Sequence, residues 1–109
     1  MTAESSRCLV YLTAPDAETA DRLANALVAE RLAACVNVLG AIRSVYRWKG
    51  AVEQSGEVAL LAKTVEASVD ALTRRVKDLH PYECPCIVTL PICGGDPAFL
   101  DWIAQEVAR

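Results

Sequence analysis

Two strand-like arms meeting at one tight turn constrain this chain more than any other feature. Residues 36–48 are rich in Val, Ile, Tyr and Trp, Lys49-Gly50 supplies a two-residue turn, and residues 51–63 return as a second apolar run. Gly40 interrupts the first arm as a β-bulge would. At about 3.3 Å per residue, an arm of this length reaches about 43 Å. A compact domain of this size has a radius of gyration near 13 Å. The predicted hairpin is therefore longer than the body that carries it. Its far half, with Tyr46, Trp48 and Val52, puts aromatic side chains and strand edges into water, which soluble chains avoid. Another copy of the same chain is the simplest cover.

The remaining elements fall around that hairpin. Cys8-Leu9-Val10-Tyr11-Leu12 is a continuous apolar run closed by Thr13-Ala14-Pro15-Asp16, which predicts a central strand buried on both faces and then a turn. Asp16 stands where a helix N-cap belongs, and Ala20, Leu23, Ala24, Leu27 and Val28 recur at helical spacing. Val69, Leu72, Val76 and Leu79 mark a second helix that Pro81 stops. Residues 87–90 form a short apolar run with β-branched members, a buried strand by length and composition. Asp96-Pro97 then opens a last short helix through Phe99, Leu100, Trp102, Ile103 and Val107. The predicted order is βαββαβ plus a C-terminal helix, an α+β chain of the ferredoxin-like split type. Residues 1–7 read as a short tail and 8–109 as one domain.

One stretch concentrates chemistry. His80-Pro81-Tyr82-Glu83-Cys84-Pro85-Cys86 holds the only histidine and two of the five cysteines. Pro81 and Pro85 push the residues before them toward extended geometry, so His80, Glu83, Cys84 and Cys86 stand at the mouth of the following strand. Imidazole with thiolate suits zinc or copper, although H-x2-E-x2-C is no standard zinc spacing. A hydrogen-bonded His80 closing the preceding helix is the competing reading. Cys84 and Cys86 lack the two-residue spacer of redox dithiols. Lys63, at the end of a long strand, is either an anion ligand or a solvated strand end. Tyr46 and Trp48 either stack on a ligand or pack in an interface. Five cysteines without framework spacing belong in a reducing compartment as thiols, with Cys8 and Cys93 as small buried hydrophobes.

Charge and hydropathy exclude several classes. A net charge of −3 lacks the basic footprint that nucleic acid or an anionic membrane surface needs, and no apolar run approaches the ~20 residues of a spanning helix. The first residues carry an acid and too short an apolar run for a secretory signal, which points to the cytoplasm. Cys35 and His80 come with no placeable oxyanion-hole motif or orienting acid, so no catalytic residue is expected and the chain reads as a binding protein. Gly94-Gly95-Asp96-Pro97 precedes a helix, yet Asp96 fills the N-terminus with an acceptor and disfavours phosphate there.

Several stretches together resemble the CutA family, the divalent-cation tolerance proteins. They are Thr13-Ala14-Pro15-Asp16, Glu30-Arg31-Leu32-Ala33-Ala34-Cys35-Val36-Asn37-Val38, Tyr46-Arg47-Trp48-Lys49-Gly50 with Glu53, the run from Glu57 to Lys63-Thr64, and His80-Pro81-Tyr82-Glu83-Cys84-Pro85. The resemblance implies a ferredoxin-like protomer, a tight homotrimer like that of the PII signalling proteins, a cytoplasmic setting for bacterial members, and an association with copper or another divalent metal that folding does not require. His80, Glu83 and Cys86 are the candidate metal residues on their donor chemistry, and Cys35 joins them because it resembles a position the family places near this region. Copper ligands proposed for some members are a cysteine just before Thr-Ala-Pro-Asp and two adjacent histidines before Pro-Tyr; this chain has Leu12 and Leu79-His80 there. Cys86 stands where the family usually has Glu. The likeness to PII proteins implies an alternative, a sensor that binds a small anion between subunits through Lys63, with Tyr46, Trp48 and Tyr82 lining the cleft.

Overall fold

The computed structural model describes residues 6–108. Strand β1 (Arg7–Ala14) leads to helix α1 (Ala17–Ala29), strands β2 (Cys35–Trp48) and β3 (Ala51–Val65), helix α2 (Val69–Leu79), strand β4 (Ile87–Pro91) and helix α3 (Pro97–Glu106). The four strands form one antiparallel sheet in the order β2-β3-β1-β4. The expected α+β class and element order hold, with β1 beginning at Arg7, one residue earlier than the sequence reading placed it.

Local chemistry explains the boundaries. The Asp16 carboxylate accepts a 2.7 Å hydrogen bond from the Thr19 amide and caps α1, and Asp96 does the same for α3 through the Phe99 amide at 3.1 Å. Lys49 (φ 50°) and Gly50 (φ 83°) are both left-handed, as a two-residue hairpin turn with the right twist demands, and Trp48 pairs with Ala51 across it. The predicted bulge is present: the register slips between Val38 and Gly40, where Gly40 takes φ 111°. Arms of 14 and 15 residues give a molecule 44 Å long and only 25 by 22 Å across, with a radius of gyration of 14.4 Å.

The core lies on one side of the sheet. Ala20, Leu23 and Leu27 of α1 and Leu72 and Val76 of α2 pack on Val10, Leu12 and Ala14 of β1 and Val58, Leu60 and Ala62 of β3. Full burial of each such Leu or Val contributes about 1.5–3 kcal/mol. Ile103 of α3 and Val107 just after it form a smaller cluster with Ala34 and Val65. Strand alternation puts Leu9, Tyr11, Leu61, Val88 and Leu90 on the opposite face. No helix layer covers the middle of that face.

Three expectations are corrected by this arrangement. β1 alternates between buried and half-buried residues as far as Leu12 instead of being buried on both faces, because α1 and α2 cover one face while α3 reaches only the end of the other, near Arg7 and Val65. Strand β4 is a sheet edge, half-buried at Ile87 and exposed beyond it, rather than a buried strand. Pro91 at its end is tolerated because an edge strand has amides without ladder partners. Cys93 is exposed in the loop after β4, whereas Cys8 is buried as expected. Among the described residues, no helix is long and apolar enough to cross a membrane.

Candidate functional site

The outer half of the hairpin, the end of β1 and the loop after α2 form a cleft of about 510 Å³. Tyr11 and Thr13 of β1, Ser44, Tyr46 and Trp48 of β2 and Glu57 of β3 supply its floor, all on the face away from α1 and α2. Tyr82, Glu83, Cys84 and Cys86 of the loop supply its wall. The loop is fixed by His80. Its backbone amide ends α2 on the Val76 carbonyl, its Nδ1 accepts from the Tyr82 amide at 3.2 Å, and its Nε2 lies 2.7 Å from the Thr13 carbonyl. With Nδ1 accepting, the proton sits on Nε2 and donates to Thr13. His80 thus pins the α2–β4 loop to β1, and the Tyr82 ring leans on the imidazole at 4.6 Å between centroids.

The cleft is apolar with an acidic floor. Glu57 is only 9% exposed, and its carboxylate accepts a 3.3 Å hydrogen bond from the Tyr82 hydroxyl. Burial, then the Glu57 charge and its hydrogen bond, raise the Tyr82 phenol above its ordinary range. Burial and Glu57 likewise raise the Cys86 thiol, against a smaller opposing hydrogen bond with Thr13. Both groups are therefore neutral at physiological pH.

The structure divides the predicted site residues. Tyr46, Trp48 and Tyr82 meet in the cleft, with Glu83 and Cys86 beside them. Lys63 is elsewhere: its Nζ donates to Asn37 Oδ1 at 2.6 Å and lies 5.6 Å from the Phe99 ring. It lies six positions along β3 from Glu57, about 20 Å along an extended strand. Cys35 pairs with Lys63, four residues along β3 from Ala59, the partner of Thr13. At about 13 Å, that spacing keeps Cys35 apart from His80. Both His80 nitrogens are engaged, and no three His, Cys, Asp or Glu side chains among the described residues are grouped to hold a metal ion. The residues of one chain do not fit a copper centre. Sequence reasoning missed Glu57 as a lining residue; the available signal was a lone carboxylate leading the apolar run Val58-Ala59-Leu60-Leu61-Ala62 on a strand.

With that geometry in hand, comparison with known proteins is decisive. The model of the CutA1 divalent ion tolerance protein family matches residues 8–106. The chain belongs to the CutA family. It is 47% identical over 98 residues to the divalent-cation tolerance protein CutA of Thermus thermophilus, covering 90% of this chain and 95% of that one. It is 45% identical to the chloroplastic protein CutA 1 of Oryza sativa, again over 90% of this chain, but spans only 55% of that longer relative. The solved CutA structure from Thermus thermophilus superposes with a TM-score of 0.92 at 45% identity, covering 94% of this chain and 99% of that one. The arrangement of strands and helices is thus that of solved CutA proteins.

Proposed function

We propose that this CutA-family chain is a non-catalytic, homotrimeric module of divalent-cation tolerance, with copper foremost among its metals, acting in the cytoplasm. The observation that carries the reading is the match to a divalent ion tolerance family over residues 8–106. Its ferredoxin-like protomer is supported by the strand order β2-β3-β1-β4. Five free thiols suit a reducing compartment. Donors with access to solvent are the Cys84, Cys86 and Glu83 side chains at the cleft wall, whereas a metal at His80 has to displace either the Thr13 carbonyl or the Tyr82 amide.

Anaerobic titration of the assembled protein tests this directly. Cu(II) is expected to bind more tightly than Zn(II), following the Irving–Williams order. Cys86→Ser should weaken uptake, while His80→Ala should lower thermal stability and leave uptake unchanged. Failure of the wild type to take up either ion removes direct binding and leaves tolerance as an indirect effect.

A second reading, a PII-like small-ligand sensor, is favoured by the cleft itself, where Tyr46, Trp48 and Tyr82 converge as that reading requires. Lys63, which was to hold the anion, lies outside this cleft in the same chain.

A further inference from the structure

We propose that the cleft between the hairpin and the α2–β4 loop binds an organic ammonium cation, held by the Tyr46, Trp48 and Tyr82 rings against the Glu57 carboxylate. The inference rests on the small-ligand reading of this cleft and reverses the charge of its occupant. The volume of about 510 Å³ lies in the range of small-molecule pockets. Aromatic rings present negative faces to a cation, and several rings around one carboxylate are the chemistry that recognises methylated and alkylated amines.

Three observations converge on positive charge. Glu57 is buried, and the one hydrogen bond to its carboxylate among the described contacts is the long one from Tyr82, so it retains lone pairs for a cation. Among the described residues of one chain, the lining includes two carboxylates, Glu57 and Glu83, and no lysine, arginine or histidine. An anion there meets repulsion and no compensating donor charge. Trp48 already accepts an amine on its ring: the Lys49 ammonium lies 5.7 Å from its centroid. Tyr46 and Trp48 are each 42% exposed in the single chain. A bare divalent metal is the poorer occupant, because the described residues of one chain offer no grouped ligand set.

Three probes of nearly one shape separate the possibilities: choline, 3,3-dimethylbutan-1-ol and 3,3-dimethylbutanoate, which carry positive, no and negative charge. Titration calorimetry of the full-length assembled protein should show choline binding at least tenfold more tightly than the alcohol, with no detectable binding of the carboxylate. Glu57→Gln keeps the side-chain shape and should lower choline affinity roughly tenfold, a 1.4 kcal/mol change, while leaving the alcohol's affinity unchanged. The alcohol arm reports an intact pocket in the variant. Equal binding of choline and alcohol, or tighter binding of the carboxylate, overturns the cation and leaves the ligand cleft standing. Absence of binding by all three overturns both the cation and the cleft.

Discussion

Two residues show how one buried charge sets the chemistry of its neighbours. Burial and Glu57 hold the Cys86 thiol above its ordinary range, so the thiolate is disfavoured in the folded state. The consequence for stability has a definite sign. Where folding raises the pKa of an acid, the contribution is complete below the unfolded value and is lost as pH climbs toward the folded one. For Cys86 that loss begins above about pH 8.5, where an unperturbed thiol titrates. Iodoacetamide labelling followed by peptide mass mapping should place the Cys86 reactivity midpoint above that of an unstructured cysteine, and Glu57→Gln should bring it down. An unchanged midpoint in the variant leaves burial as the whole cause. The residue scale is also where the sequence was least legible. His80 was readable both as a ligand and as the residue that closes a helix, because identity and spacing are the same in both cases. Only the Thr13 carbonyl and the Tyr82 amide, brought to it by the fold, choose the second. Lys63 shows a related limit: strand position gave its face but not that Asn37 would accept a hydrogen bond from its ammonium.

At the scale of elements, the periodicities of 3.6 and 2 carried the reading far. Both long arms, the left-handed turn at Lys49-Gly50, the bulge at Gly40 and the caps at Asp16 and Asp96 lie where local chemistry puts them. What failed was β4, since an apolar run of four looks the same at a sheet edge and at its centre, and strand order is a property of the whole fold. The junction of α1 with α3 was likewise invisible to pattern. Arg31 follows the α1 cap in the left-handed region (φ 59°), with the Leu32 amide bonded to Leu27 and its own amide to Val28, an arrangement that usually employs glycine. The arginine is retained there with a second task. Its guanidinium donates to the Gln105 and Glu106 carbonyls at 2.9 Å each, closing the open C-terminal end of α3. Arg31→Ala loses those bonds and keeps the backbone strain, whereas Arg31→Gly loses the bonds and relieves the strain. Thermal or urea unfolding should therefore find the alanine variant less stable than the glycine variant by about 1 kcal/mol. Equal stability would show that the left-handed conformation carries no strain here.

For the whole molecule, the governing fact is a sheet with one face covered by α1 and α2 and the other reached by α3 only at one end. Val88 is 52% exposed and Leu90 46% on the face away from α1 and α2, and the far hairpin, beyond those helices, adds Val45 and Val52 on its other face at 60% and 64%. A soluble chain rarely leaves so much apolar surface to water along a strand edge. This argument reaches the same assembly that the over-long hairpin implied, now from a different part of the sheet. Closed symmetry is the ordinary way to bury one such face in every copy without leaving an open end, and three copies are the proposed number. Sedimentation equilibrium at micromolar concentration should give about three times the 11.7 kDa chain mass. Leu90→Asp sharpens the test, because the side chain lies outside the α1–α2 core and its replacement costs a lone chain little. In an assembly it places an unpaired carboxylate in an apolar contact, a cost of several kcal/mol repeated in each copy. The variant should sediment as a folded monomer with native circular dichroism. A variant that remains at three times the chain mass and unfolds at the wild-type temperature would show that Leu90 faces water in the assembly, and would move the contact to the hairpin arms.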